Sequence, residues 1–500
     1  MKSLKLITHY SKLTVLPSLV ALSLCGCTVG PEFHSPTLAG PPRGASWHSG
    51  DPSLQGPATT GDHNSGDWWK NYQDPVLNQL VILALNANPD LQTAALHFLS
   101  AQAQAGVTAS QLAPQVDATG QIIRQQISEN GSSTRAIRSL VQEPDEYVGL
   151  LASPYTSYQI GVNASWEIDF WGHVRRSVEA AKADLAAQQA MLKTAQLSII
   201  SDLITQYSTL RNIQQQIDLA YQDQQATSER LRLIAVKTRY GQLDYRSQAL
   251  QQADESVAQA KLINLRQQEA QATNQILLLV GEHPGSLHEM LMARTDTVHP
   301  LALPTLSVGL SSDTIRQRPD IQAAEAKLHA ATARIGVAKA ELYPRITLTG
   351  SFGLDTYNSS DFSEWASRTW SIGPHIDLPL FDYGRRKSTI VLREVDQQQA
   401  AVAFHKTVLT AWQEIDDALS RYAAAQQTLQ HQRQRAASAA QAYALAQARY
   451  QGGATDFIDV IDSQRSDIQA RIDLANAQRD VMQAFVAINR ASGNVPSESI

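Results

Sequence analysis

From Tyr158 the chain alternates: Tyr158, Ile160, Val162, Ala164, Trp166, Ile168 and Phe170 are apolar, while Gln159, Gly161, Asn163, Ser165, Glu167 and Asp169 between them are polar or small. A period of two predicts a strand with one oily and one watery face, spanning about 158–170. Three more segments repeat the pattern. Val116 alternates with Asp117 and Thr119 (about 115–125). Ile346, Leu348, Phe352 and Leu354 alternate with Arg345, Thr347, Thr349 and Ser351 (about 345–355). Trp370, Ile372, Ile376, Leu378 and Leu380 alternate with Ser371, Gly373, His375 and Asp377 (about 370–380). Each strand is long enough to cross a bilayer when tilted.

Elsewhere the period is helical. Residues 173–240 contain no Gly or Pro, Gly241 interrupts, and 242–280 run unbroken again; 385–451 and 454–492 repeat this around Gly452 and Gly453. Apolar residues form narrow stripes at sevens and fours: Leu192, Ile199, Leu203, Leu210, Ile217; Val408, Trp412, Ile415, Leu419, Tyr422; Ile461, Ile468, Ile472, Ala475, Met482, Val486. That spacing predicts coiled-coil contacts. At about 1.5 Å per residue the long runs reach roughly 100 Å and their returns about 58 Å. Residues 89–112 and 319–342 each add about 36 Å, so each half pairs one long helix with two stacked shorter ones.

The two halves are a tandem repeat. Pro89-Asp90, Gly106, Pro114 and Gly120 recur 230 positions on as Pro319-Asp320, Gly336, Pro344 and Gly350; Gly172 and Gly281 recur 212 positions on as Gly384 and Gly493. The first half therefore carries a longer loop between Gly120 and Gly172, where surface loops absorb insertions. The expected division is a signal segment (1–26), an extended N-terminal segment (27–73), a first repeat (74–290) with the helix pair 173–280, a connector (291–311), a second repeat (312–493) with the helix pair 385–492, and a tail (494–500). The fold class is mainly α with a small transmembrane β part.

Four strands cannot close a barrel, and open edges are not tolerated in lipid. Several copies must share one barrel, with loops 126–157 and 355–369 on one side and the helices on the other. The competing reading is a non-porous coiled-coil lipoprotein, which has no use for strands with opposed lipid and water faces.

At the start, Lys2, Lys5 and Lys12 precede the apolar run Leu13–Leu24, the n- and h-regions of a secretory signal. Leu24-Cys25-Gly26-Cys27 resembles the lipobox of bacterial lipoproteins. Cys27 is the acceptor, because Gly26 before it is small, whereas Cys25 would put Leu24 at the cleavage position. These are the chain's two cysteines, so no thiol is left for redox work. Thr28, not Asp, follows the acceptor, as in lipoproteins sorted to the outer membrane. Removing the signal takes away three lysines and no acid, moving the formal charge from −6 to −9. Nothing invites nucleic acid.

The sequence shows no P-loop, His-Glu-x-x-His, Gly-x-Ser-x-Gly elbow or paired-cysteine metal motif, so neither an enzyme nor a cofactor is expected. His283 and His288 sit in a Pro/Gly-rich connector and read as solvated surface. Phe170, Trp171, Trp365, Trp370 and Phe381 flank the strands, as interfacial aromatics do.

Cys27-Thr28-Val29-Gly30-Pro31-Glu32-Phe33, Trp68-Trp69, Asn88-Pro89-Asp90 with Arg318-Pro319-Asp320, Leu342-Tyr343-Pro344 and Leu378-Pro379-Leu380-Phe381-Asp382-Tyr383-Gly384, in this order, resemble the TolC-like outer-membrane efflux family, in its NodT-type lipoprotein branch. The resemblance covers essentially the whole mature chain. It implies a homotrimer with a 12-stranded barrel in outer-membrane lipid, a periplasmic helical tunnel, a periplasmic adaptor and an inner-membrane pump, commonly of the resistance-nodulation-division class. The implied function is passive export of drugs or other toxic compounds. Type I protein secretion and metal-ion efflux are the alternatives, the latter without support from five Met and no His-rich tract.

The resemblance also points to a periplasmic gate at Tyr450, Gly453, Asp459 and Asp462. Three apart, both carboxylates share a helical face, and in a trimer each makes a ring of three acids favouring cations. Asp456 reads as the helix cap. Gly241, Gly452 and Gly453 mark the helix-turn tips. The first tip, Gly241-Gln242-Leu243-Asp244-Tyr245-Arg246, reads as two residues shorter and lacks the paired acids; adaptor contact or support of the tip is its expected role, with Arg246 a partner for a nearby acid.

Overall fold

The computed structural model describes residues 28–37, 52–54, 66–141, 144–292 and 312–496. The signal segment, Cys27 and most of the 291–311 connector lie outside the described residues. In chain order the elements are α1 (Pro75–Ala87), α2 (Pro89–Ala109), β1 (Gln115–Gln125), α3 (Ser132–Leu140), α4 (Pro144–Leu151), β2 (Tyr155–Glu167), α5 (His173–Arg239), α6 (Tyr245–Leu279), α7 (His288–Met292), α8 (Ser312–Gln317), α9 (Pro319–Ala340), β3 (Arg345–Thr356), β4 (Arg368–Asp377), α10 (Arg385–Gln451) and α11 (Phe457–Ser492). Two compact units emerge, and each draws on both halves of the chain. One comprises the described parts of Met1–His34, Ala101–Leu185 and Lys327–Ala400; the other those of Ser35–Ser100, Ala186–Ala326 and Ala401–Ile500.

The first unit holds one antiparallel sheet in the order β1-β2-β3-β4. Gly120 lies opposite Ile160, Val162 opposite Phe352 and Ile372 opposite Gly350, so even-numbered apolar residues meet even-numbered ones across every pair and form one face. β2 begins and ends earlier than the alternation alone suggests. Beyond Glu167 the carboxylate of Asp169 turns away to accept the backbone N–H of Arg175 at 2.8 Å, starting α5. β4 likewise stops at Asp377, short of Leu380, because Pro379 has no N–H to extend a ladder. The extra loop of the first half folds into α3 and α4, the latter opened by Pro144 at its first position. Trp171 is not a free interfacial aromatic. Its ring stacks on Tyr343 at 4.6 Å and its indole N–H donates to the Pro344 carbonyl at 3.0 Å.

An N-terminal clasp, invisible in the sequence pattern, also belongs to this unit. Val29 N–H donates to the Trp171 carbonyl at 3.0 Å, Phe33 stacks on His329 at 4.3 Å, and the buried Arg176 guanidinium bonds Glu32 at 2.7 Å and Glu179 at 2.6 Å. Gly30 passes so close to Gly336 that a Cβ on it would lie 2.5 Å from the Gly336 Cα.

In the second unit the expected stripes form the core: Ile199, Leu203, Leu210 and Ile217 of α5, Val408, Ile415, Leu419 and Tyr422 of α10, and Met482 and Val486 of α11 are buried together. Trp68, Trp69 and Tyr72 seal it, with Trp68 and Tyr72 edge-on to Phe485 and the Tyr72 hydroxyl donating to the Met482 carbonyl at 3.0 Å. The repeat shows in the joints. Asn88 donates to the Leu279 carbonyl at 2.8 Å, and Arg318, 230 positions on, donates to the Ala491 carbonyl at 2.6 Å, 212 positions on.

Candidate functional site: the helix-turn tips

Both hairpins of the second unit turn in the same way. Gly241 at φ 71° and Gly453 at φ 72° occupy the left-handed region. There the next residue's N–H reaches back to a late carbonyl of the helix, Gln242 to Lys237 at 2.9 Å and Ala454 to Arg449 at 2.9 Å. Each return helix is then capped by an aspartate. Asp244 accepts from the Ser247 N–H at 2.8 Å, and Asp456 accepts from the Ile458 N–H at 3.3 Å. The interhelical segments, 240–244 and 452–456, are equally long, which corrects the expected two-residue shortening. The doubled glycine misleads: Gly452 stands where Tyr240 stands, and only Gly453 takes a positive φ.

The acids divide by partner. Asp456, besides capping, receives an ion pair from Lys237 of α5. That bond first, and the Ile458 amide with it, hold its carboxyl below the usual carboxylate range against a small cost of burial. Asp459, in the first turn of α11, accepts from the Thr455 hydroxyl. Asp462, a turn further, pairs with Arg230 of α5. Asp459, Asp462, Ser466 and Gln469 share one exposed stripe, while Val460, Ile461, Asp467 and Ile468 between them are buried. The Tyr450 ring tilts over Phe457 at 5.0 Å.

The cations that reach these acids are thus Arg230 and Lys237, not Arg246, which is exposed and only adds to the field on Asp244. Helix periodicity could have found them, since Arg230 and Lys237 lie seven apart on α5. Further along, Arg465 of α11 pairs with Asp223 of α5 at 3.1 Å and approaches Asp254 of α6 at 3.8 Å, tying both hairpins into one bundle. The first hairpin places Ser247 and Leu250 at the positions equivalent to Asp459 and Asp462, so the acids belong to the second hairpin alone.

Amphipathic strands joined to paired helix hairpins with a charged tip define a subunit of an outer-membrane channel. The chain belongs to the outer membrane efflux protein family, whose model matches residues 80–282 and 310–494. It is 30% identical over 483 residues to the outer membrane protein OprJ of Pseudomonas aeruginosa, covering 95% of this chain and 94% of that one. It is 29% identical to the toluene efflux pump outer membrane protein TtgF of Pseudomonas putida, covering 99% of each. The outer-membrane channel OprN is similar in structure, with a TM-score of 0.78 at 27% identity over 94% of this chain and 99% of that chain. The chain is an outer-membrane channel component of an efflux system, and these matches favour a conduit over a non-porous rod.

Proposed function

We propose that this protein is a passive homotrimeric conduit, anchored in outer-membrane lipid through an acylated Cys27, that passes small toxic molecules to the exterior. Three copies supply twelve strands. A periplasmic adaptor and an inner-membrane pump complete the machine, and catalysis has no part in it. The observation that carries the reading is the sheet with two unpaired edges in a chain of this family, since lipid tolerates no such edge. The domain division expected from the repeats, with 27–73 as a lipidated N-terminal segment and 291–311 as a connector, goes with this reading. The first tip, with Gly241 and the exposed Tyr240 and Tyr245, is the surface offered to the adaptor.

The periplasmic gate lies at Tyr450, Gly453, Asp459 and Asp462, with Gly452 at the helix-turn tip beside it. Asp459 and Asp462 in three copies give two rings of acids, a negative constriction that admits cations in preference to anions. A strain lacking the gene tests the cargo: sensitisation to organic toxicants is expected. Sensitisation to metal ions alone, or loss of a secreted protein alone, would move the reading to metal-ion efflux or type I secretion.

A further inference from the structure

On the described strands, charge is sorted by face. The acids Asp117, Glu167, Asp355 and Asp377 all have odd numbers and so stand on the polar face. The even-numbered, apolar face carries two charged residues, Arg124 of β1 and Arg368 of β4. Both stand at the same end. Arg124 is the last residue but one of β1 and Arg368 is the first of β4, at the loop end of the sheet and opposite the end that feeds the long helices. The two edges slant together, from Gln125 opposite Tyr155 to Arg368 opposite Leu354 at the loop end, and from Gln115 opposite Ser165 to Asp377 opposite Arg345 at the helix end. Tilted strands produce that stagger, and it brings both arginines to one rim. At the helix end the same face holds Val116, Trp166, Ile346 and Ile376, none of them charged.

Neither guanidinium is neutralised within the chain. Arg124 is exposed and, among the described residues, has no hydrogen-bond or ion-pair partner. Arg368 is held without being paired to an acid: its Nη1 donates to the Trp365 carbonyl at 2.7 Å, and its guanidinium carbon lies 4.6 Å from the Trp365 ring centre. Arg345, on the polar face, shows the contrast, since its Nε donates to the Glu167 carboxylate at 2.7 Å. An arginine on a lipid face is costly at mid-bilayer and cheap near the interface, so a rim tolerates these two. A guanidinium left unpaired at that depth meets lipid headgroups, and its parallel N–H donors match a phosphate.

Resting on the outer-membrane conduit reading, in which the even face meets lipid and the loops face outside, we propose that Arg124 and Arg368 seat the phosphates of the outer-leaflet glycolipid, lipopolysaccharide. The headgroup of that lipid is a phosphorylated sugar, and this rim offers a group for each part. The guanidiniums take phosphate, while Trp365 and Trp370, 68% and 69% exposed, present flat rings to the sugar. Phospholipid of the inner leaflet, at the helix end of the same face, meets no such cation.

Titration of the purified full-length protein with three lipids tests this: rough-type lipopolysaccharide bearing both lipid A phosphates, the same glycolipid enzymatically dephosphorylated, and phosphatidylglycerol. The phosphorylated glycolipid binds roughly tenfold or more tightly than either of the others, a comparison that needs no variant. Arg124→Gln with Arg368→Gln loses that margin in a protein of unchanged native mass, and Arg124→Lys with Arg368→Lys recovers much of it. Equal binding of the dephosphorylated glycolipid or of phosphatidylglycerol, or an undiminished margin in the Gln double variant, overturns the proposal. Ile122→Cys, two residues inward on the same face, reports separately on the reading beneath it. In proteoliposomes it is shielded from a water-soluble maleimide; free labelling overturns the lipid-face reading, whereas shielding together with binding indifferent to phosphate overturns the arginine seats alone.

Discussion

At Asp456 the depressed carboxyl pKa fixes the sign of a pH effect. A carboxylate held below its unfolded value of about 3.9 stabilises the fold above that pH, and the contribution is lost as pH falls through the lower folded value. The return helix should therefore fray at its start in acid before the rest of the hairpin loosens. Asp456→Ala removes the cap and should cost about 1 kcal/mol locally. Hydrogen exchange of the 457–460 amides checks it, and protection equal to the parent protein's would contradict the capping role. Arg176 carries a different burden, joining Glu32 to Glu179 while itself 2% exposed. Burial alone would raise the Glu179 carboxyl, but its bonds to Arg176 and His329 pull it below the usual range. Arg176→Ala should free the 28–33 clasp, read as faster proteolysis there with α5 and α9 intact.

At the scale of elements, what the sequence reveals depends on whether a pattern or a partner decides. The heptad stripes of α5, α10 and α11 and the alternation of all four strands were legible because burial on one face leaves a period. Three things were not. The ends of β2 and β4 depend on Asp169 capping a helix and on Pro379 refusing a bond, both local chemistry beneath an unbroken alternation. The partners Arg230 and Lys237 lie more than 200 residues from Asp462 and Asp456, so nothing local in the sequence announces them. Two adjacent glycines look like extra turn, yet the two tips are equally long. That last point is testable: Gly453→Ala should cost about 1–2 kcal/mol for a left-handed residue, and Gly452→Ala should cost little. Thermal unfolding of the two variants separates them, and equal midpoints would contradict the assignment.

At the scale of the molecule, the proposed conduit puts the even-numbered residues of β2 against lipid and the odd-numbered ones against water. Val162→Arg should cost about 2–4 kcal/mol near the bilayer middle, while Asn163→Arg is tolerated. Assembly yields in outer-membrane fractions report the difference, and equal yields would remove the lipid face. In the proposed assembly three copies form a water-filled conduit whose narrowest point is lined by Asp459 and Asp462. Single-channel recording of the purified protein in planar bilayers tests it most directly. The account predicts discrete cation-selective steps, with the double variant Asp459→Ala and Asp462→Ala giving higher conductance and weaker cation selectivity in an intact trimer. No channel at all, or a double variant that assembles correctly with unchanged conductance and selectivity, would contradict it.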